Sequence, residues 1–281
     1  MTASAARRRC HRVAVSGDTV RVLQLTDTHL CRERGGSLLG MDTDHSLQAV
    51  IGLARREQPQ IDVLLGTGDM SNHGYLEAYQ RLRAYFAELC PDQFWLPGNH
   101  DDRGKMDQVD VDGTLLSNDI RLGRWQLVML DSQVPGQVGG RLGQGQLQLL
   151  REALDEAARE QLFSLVCLHH QPVAIGCRWL DEQMVADADE LFAVLAQYPG
   201  VRGVLWGHIH QQVDRVWQGR KLMASPSTCV QFAPGSDVFK ADAAAPGYRW
   251  LELRADGEIE SGISRVEDVS FQVDLDSHGY L

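Results

Sequence analysis

The chain has 281 residues, and its 27 Lys and Arg against 38 Asp and Glu give a formal net charge of −11 at pH 7. A hydrophobic content of 43% is ordinary for a globular protein and excludes a largely disordered chain. The acidic balance argues against nucleic acid or an anionic membrane surface as the main partner, because both bind to basic faces.

Strand-like apolar runs alternate with helical patterns along the chain. The predicted strands are 20–26, 61–65, 94–96, 125–130, 162–168 and 201–206. Apolar residues at helical spacing predict helices around 47–54, 76–89, 147–157 and 191–195. The last part predicts two hairpins, 215–224 and 248–265, which turn at Gly219 and at Asp256-Gly257.

This alternation predicts an α/β fold, with two sheets because the strands are numerous and the last ones are antiparallel in character. We expect an N-terminal extension over residues 1–19, one domain over 20–265 and a polar tail over 266–281.

The chain has no apolar run of the ~18 residues that a membrane helix needs, and no apolar core follows its basic start as in a secretory signal. Its six cysteines are scattered without a C-x-x-C pair, which is typical of reduced thiols. We therefore expect a cytoplasmic protein without a nucleic acid or a membrane as partner.

Five predicted strands are each followed by residues that commonly bind metal ions. These segments are Asp27-Thr28-His29, Gly68-Asp69, Gly98-Asn99-His100-Asp101, His169-His170 and Gly207-His208-Ile209-His210. Six of the ten histidines lie in them. Functional side chains of α/β folds gather beyond the carboxyl ends of the strands, so we expect these segments to meet at one site.

The residue types indicate a site for two metal ions. Carboxylates and imidazoles suit Mn, Fe and Zn, and one carboxylate can bridge two ions. Two ions ~3.5–4 Å apart form a clamp for in-line displacement at phosphorus. The glycines before Asp69, Asn99 and His208 allow the backbone to turn sharply.

The motifs and their order resemble the calcineurin-like metallophosphoesterase superfamily, which implies a four-layer α/β/β/α sandwich. Longer segments are similar to the class III cyclic-nucleotide phosphodiesterases, namely QLTDTHL, LLGMDT, WLPGNHD, CRWLD, GHIHQ, ASPSTCVQF and APGYRWLEL. This resemblance covers most of the chain. It implies hydrolysis of 3′,5′-cyclic AMP to 5′-AMP by a dinuclear metal centre, through a metal-activated hydroxide.

The resemblance also implies roles for individual residues. Asp69 and His100 would be catalytic, Asp69 as the bridge between the ions and His100 as phosphate contact and proton donor. Independently of the resemblance, Asp101 directly follows His100 and is a candidate for its orienting partner. The other ligands of the first ion would be Asp27, His29 and His210, and those of the second Asn99, His169 and His208. The substrate would contact His29, Asp69, Asn99, His100 and His210. Iron and manganese are the usual ions of the family.

The sequence departs from the family pattern at Asn72, which stands three positions after Asp69 where an acidic residue is most frequent. Trp179 is a candidate for stacking on adenine, and Cys229 and Phe232 for shaping a nucleotide pocket. Ordinary packing is the alternative for all three.

Several functions remain open from the sequence. The same chemistry could act on another cyclic nucleotide, phosphodiester or phosphomonoester, because the substrate pocket and not the metal site decides between them. The same motifs could also belong to a nuclease or, with a degraded site, to a non-catalytic nucleotide-sensing module. His100 could also bind the phosphate without donating a proton.

Overall fold

The computed structural model describes residues 7–279, and this range contains six helices and sixteen strands. The helices are α1 (Thr43–Glu57), α2 (Leu76–Ala87), α3 (Arg103–Val109), α4 (Gly143–Arg159), α5 (Arg178–Asp181) and α6 (Ala188–Leu195). The strands are β1 (Cys10–Val13), β2 (Thr19–Leu25), β3 (Ser37–Leu38), β4 (Met41–Asp42), β5 (Val63–Thr67), β6 (Gln93–Leu96), β7 (Asp119–Leu122), β8 (Trp125–Met129), β9 (Phe163–Cys167), β10 (Val201–Trp206), β11 (Val213–Trp217), β12 (Arg220–Ala224), β13 (Gln231–Phe232), β14 (Ala241–Asp242), β15 (Gly247–Arg254) and β16 (Ile259–Arg265).

Two large sheets carry the fold. One has seven strands in the order β1-β7-β8-β9-β10-β12-β11, and the other has five in the order β16-β15-β2-β5-β6. Strands β2, β5 and β6 run parallel to one another, and so do β8, β9 and β10. The carboxyl ends of β2, β5 and β6 in one sheet, and of β9 and β10 in the other, carry the five predicted metal-binding segments.

The two sheets pack face to face through alternate residues of their strands. Val22 and Leu65 of the five-stranded sheet share one buried cluster with Leu127 and Leu205 of the seven-stranded sheet. Because side chains alternate across a strand, the residues between them point to the outer faces. This central apolar layer joins the sheets into a sandwich.

Helices cover both outer faces. Apolar residues of α4 and α6 pack with Val128, Val166 and Val204 of the seven-stranded sheet. Residues of α1, α2 and α3 pack with Leu23 and Leu64 of the five-stranded sheet. The order of layers is therefore helices, sheet, sheet and helices, as expected from the sequence. None of the helices in the described range is both long and apolar enough to cross a bilayer.

All six predicted central strands and all four predicted helices are present, with ends that differ by a few residues. The first predicted hairpin turns at Gln218 and Gly219, both with positive φ, which suits the twist of a two-residue hairpin loop. The second joins β15 to β16. The sequence analysis missed β1, β7, α3, α5 and the four two-residue strands.

Residues near both ends of the described range pack against the rest of the fold, although the sequence analysis expected a separate extension and tail there. Strand β1 lies within the expected N-terminal extension, yet it pairs in parallel with β7 at the edge of the seven-stranded sheet. In the expected tail, Val266 is buried, and Val269 and Phe271 pack against the helix layer of α1. Residues 1–6 and 280–281 of these two segments lie outside the described residues, and the domain limits at 19 and 265 stay predictions.

Candidate metal centre

The five predicted segments converge where the carboxyl ends of the two sheets meet. Six of the seven predicted ligands are buried: Asp27, His29, Asp69, His169, His208 and His210. Asn99 and His100 are only partly buried, so they lie where the site meets solvent. All the residues predicted to bind metal or substrate are thus in one place.

Asp69 lies at the centre of this arrangement. One of its carboxylate oxygens is 3.2 Å from Nε2 of His169 and 3.8 Å from Nε2 of His29. It belongs to one group of potential ligand atoms with Asp27 and His169, and to another with His29 and His100, each within 4.8 Å. A third such group joins Asp27, His29 and His210. Asp69 therefore has neighbours on both sides, as a bridging ligand would.

Three histidines are oriented so that Nε2 points into the site. Nδ1 of His169 donates to the carbonyl of Thr67 over 2.8 Å, and Nδ1 of His210 donates to that of Val230 over 2.6 Å. Since a carbonyl can only accept, Nδ1 carries the proton in both rings, and a neutral ring then has its lone pair on Nε2.

The third histidine is oriented by a side chain. Nδ1 of His29 lies 3.3 Å from Oδ1 of Asn72. Its Nε2 is 3.2 Å from Nε2 of His210, so two imidazole lone pairs face each other beside carboxylates. A cation between them satisfies this donor set, because Asp and His are the ligands that Mn, Fe and Zn prefer. The residues present therefore fit metal ions.

Burial and charge adjust the protonation of the site. Burial alone would raise the pKa of Asp69, but His169 and His100 hold it well below its usual range. Burial would likewise raise the pKa of Asp27, and His210 outweighs it and lowers the pKa. Burial lowers the pKa of His29 to about 3 and that of His208 well below the usual range. Charged carboxylates and neutral imidazoles are the forms that bind metals.

The pKa of His169 is shifted in the opposite direction to those of His29 and His208. Burial would lower its pKa, but the charge of Asp69 and the hydrogen bond to it outweigh burial and raise the pKa to about 9. The protonated, positively charged form of the His169 ring is therefore favoured beside Asp69.

The backbone is unusual at these residues. Eight non-glycine residues of the described range have positive φ, and five of them are Asp27, His29, Asp69, His208 and His210. Left-handed backbone is uncommon for such side chains and concentrates at functional sites. Gly98 serves the site by its size, since a Cβ there would collide with the carboxylate of Asp69.

His100 is held by the Asn72 main chain. Its Nδ1 donates to the Asn72 carbonyl over 2.8 Å, and its backbone N–H donates to Asp69. The expected partner, Asp101, has another role. Its carboxylate accepts from the backbone N–H groups of Met70, Ser71 and Gly98 and from the Tyr79 hydroxyl. It thus ties together the two loops that carry Asp69 and Asn99.

His170 lies beside the predicted ligands but is occupied elsewhere. Its Nδ1 is 2.8 Å from the Ser132 hydroxyl and its Nε2 is 2.9 Å from the carbonyl of Val138. The carbonyl requires a proton on Nε2, so the neutral ring accepts from Ser132 through Nδ1. Both nitrogens are used, and the ring links the loop at 131–142 to the site.

The nucleotide-pocket candidates lie near the site in packed positions. The ring of Phe232 stacks on His210, with centroids 4.1 Å apart and an interplanar angle of 10°. Trp179 is half-buried and packs edge-on against Phe232 and Phe239. Cys229 is buried. The packing alternative therefore describes all three side chains in this structure.

The sequence analysis missed one residue at the site. Gln183, in the segment that follows α5, has its Oε1 2.9 Å from Nε2 of His208. No motif or periodic pattern marks this glutamine, since its contact depends on how the segment folds back over the site.

The sequence as a whole matches a known family. A family model described as calcineurin-like phosphoesterase matches residues 20–212, which include every predicted ligand. The chain belongs to the calcineurin-like phosphoesterase family. The metal-type donor set around Asp69 is in keeping with this family, in which clustered Asp and His residues hold two ions.

Two relatives are similar to this chain along nearly their whole length. The 3′,5′-cyclic adenosine monophosphate phosphodiesterase CpdA of Pseudomonas aeruginosa is 50% identical over 262 residues, which cover 93% of this chain and 96% of that one. The protein of the same name from Escherichia coli K12 is 42% identical over 263 residues, with 93% and 95% covered.

Solved structures share the fold at low identity. A dimetal phosphatase from Danio rerio has a TM-score of 0.58 at 15% identity, covering 87% of this chain and 99% of that chain. A purple acid phosphatase from yellow lupin seeds has a TM-score of 0.64 at 13% identity, covering 92% of this chain and 53% of that chain. These likenesses confirm the four-layer sandwich of the calcineurin-like phosphoesterases.

Proposed function

We propose that this chain hydrolyses 3′,5′-cyclic AMP to 5′-AMP with two metal ions bound around Asp69. The observation that carries this proposal is the convergence of imidazole Nε2 atoms on the buried carboxylates of Asp27 and Asp69. The choice of cyclic AMP is supported by the 50% identity with the Pseudomonas aeruginosa phosphodiesterase.

The ligands divide into two sets that share Asp69. The first set is Asp27, His29, Asp69 and His210, and the second is Asp69, Asn99, His169 and His208. Nε2 of His169 lies 3.2 Å both from Oδ2 of Asp69 and from Oδ1 of Asn99, which supports the second set. Iron or manganese would suit these oxygen and nitrogen donors. When bound, such ions act as Lewis acids toward phosphoryl oxygens and make water a better nucleophile at neutral pH.

His100 is proposed to handle the proton of the leaving group. With Nδ1–H held by the carbonyl of Asn72, a protonated ring presents its second N–H at Nε2. In the reaction, the oxygen of water bonds to phosphorus and the water gives up a proton to solvent, while the bond from phosphorus to the 3′-oxygen breaks. The Nε2 proton of His100 goes to the 3′-oxygen, so that it leaves as a hydroxyl group. The phosphate is proposed to lie against His29, Asp69, Asn99, His100 and His210.

A cytoplasmic location is also part of this proposal. All six cysteines fall within the described range, and none of them forms a disulfide. Free thiols of this kind are usual in reducing compartments.

The proposal is tested by a substrate panel. Purified protein with Mn²⁺ would be incubated with 3′,5′-cyclic AMP, 3′,5′-cyclic GMP, 2′,3′-cyclic AMP, bis(p-nitrophenyl) phosphate and p-nitrophenyl phosphate, and the products separated by chromatography. We expect the highest kcat/KM for 3′,5′-cyclic AMP and 5′-AMP as its product. A higher kcat/KM for a phosphomonoester, or 3′-AMP as the product, would contradict the proposal.

A further inference from the structure

His208 is held from outside the site by the side chain of Gln183. The distance from Nε2 of His208 to Oε1 of Gln183 is 2.9 Å. An amide oxygen can only accept, so the imidazole donates a proton from Nε2. The main-chain N–H of His208 also donates to both oxygens of Asp27, over 3.1 Å each. Backbone and ring of this residue are therefore fixed by different groups.

Gln183 is itself fixed by the segment that carries it. Its N–H donates to the carbonyl of Leu180, the last turn of α5. Two residues on, the N–H of Val185 donates to the carbonyl of Gln171, which directly follows the histidine pair His169-His170. The N–H of Ala186 donates to the carbonyl of Gly140. The amide of Gln183 is thus presented to His208 by a loop that is anchored on both sides.

The segment has a second contact with the same motif. Trp179 of α5 packs against Phe232, and Phe232 stacks on the ring of His210. The two histidines of Gly207-His208-Ile209-His210 are therefore both supported by α5 and the residues after it, one by a hydrogen bond and one through an aromatic ring.

We propose that Gln183 is a positioning residue that keeps Nε2 of His208 protonated, so that His208 binds its metal ion through Nδ1. The inference rests on the proposed function for the presence of that ion. His29, His169 and His210 have the opposite arrangement, with Nδ1 held and Nε2 facing inward. His208 needs its own partner because the same ring, unsupported, can rotate or exchange its tautomer.

The consequence is a selective loss of metal affinity. A partner that orients a metal-binding histidine typically changes metal affinity by about 10- to 100-fold when it is removed. The affected ion is the one bound by Asn99, His169 and His208, because Gln183 hydrogen-bonds to His208 of that set. The first ion should bind as before.

The experiment is a titration of metal-free protein with Mn²⁺ by isothermal calorimetry. Gln183→Met removes the acceptor at similar side-chain length, and Gln183→Glu keeps an acceptor. Glu182→Gln is the matched control, since Glu182 is exposed and pairs with Arg178 on the surface. Melting temperatures of the metal-free proteins show whether each variant is folded.

We expect two Mn²⁺ per chain in the wild type. In Gln183→Met one of the two sites should be weaker by about 10- to 100-fold, whereas Gln183→Glu and Glu182→Gln should keep the wild-type affinities. Two sites of unchanged affinity in Gln183→Met would overturn the positioning role. Equal weakening in Gln183→Glu would overturn it too, since the acceptor is still there. A wild type that binds no Mn²⁺ would instead count against the proposed function.

Discussion

Each of the four proposed histidine ligands is held by a named partner, and the ring nitrogen that the partner holds decides which nitrogen faces the ions. Main-chain carbonyls hold His169 and His210, and amide side chains hold His29 and His208. Asn72 has two such tasks, because its side chain contacts His29 and its carbonyl accepts from His100. A neutral amide at this position orients His29 without adding a third negative charge beside Asp27 and Asp69.

The role of His100 can be tested with two leaving groups. His100→Ala should reduce kcat for 3′,5′-cyclic AMP by about 10²–10⁴-fold, because the 3′-alkoxide is strongly basic and needs a proton. The loss should be smaller for bis(p-nitrophenyl) phosphate, since p-nitrophenolate leaves without one. The control is His45→Ala, at an exposed histidine of α1. Equal losses on the two substrates would leave His100 with phosphate binding alone.

The sequence could predict the ligands because they sit directly after apolar strands, where a short motif and a strand end coincide. It could not predict the hydrogen-bond partners that orient these ligands. The main-chain carbonyls of Thr67 and Val230 have no side-chain signature, and Gln183 reaches His208 only through the fold of a segment without a periodic pattern. Asp101 looked like a partner of His100, yet four hydrogen bonds from neighbouring loops and from Tyr79 engage its carboxylate.

Among the elements, the apolar central strands were predictable from the sequence, and the charged strand β7 was not. Strand β7 was missed because Asp119 and Arg121 alternate with its apolar residues and resemble a loop. Both are in fact buried. Arg121 pairs with Asp119 of the same strand, with Glu156 of α4 and with Glu160, which directly follows α4. The charged side chains of β7 can be buried because a helix distant in the sequence supplies ionic partners. A local sequence pattern does not reveal partners of this kind.

A buried arginine connects the two sheets. Arg249 of β15, in the five-stranded sheet, donates to the carbonyls of Val213 and Ala224 and to the carboxylate of Asp214 at β11 and β12 of the other sheet. Arg249→Met should lower the free energy of unfolding by about 3 kcal/mol, because it leaves buried acceptors without donors. Urea unfolding followed by circular dichroism measures this change.

The same strand supplies the control for that experiment. Arg254 of β15 pairs with Glu260, and both side chains are about half exposed. Arg254→Met should change the unfolding free energy by less than about 1 kcal/mol, as is usual for surface ion pairs. If the two variants lost the same stability, Arg249 would not be a structural connection between the sheets.

In the whole molecule, the site depends on both sheets at once. Asp27, Asp69 and Asn99 come from loops of the five-stranded sheet, and His169, His208 and His210 come from loops of the seven-stranded sheet. A chain of net charge −11 therefore buries two of its carboxylates, Asp27 and Asp69, where its two sheets meet. Positive charge nearby stabilises such buried carboxylates, which is a physical reason to expect cations there.

Metal content is the most direct test of that expectation. Wild type and Asp69→Asn would be loaded with Mn²⁺, passed through gel filtration and analysed by plasma mass spectrometry, with melting curves to show that both are folded. Asparagine keeps the size of the side chain and an oxygen for the N–H of His100, but it removes the shared charge. We predict two Mn²⁺ per chain in the wild type and less than one in the variant. Two ions in both proteins, or none in the wild type, would contradict a pair of cations held by Asp69.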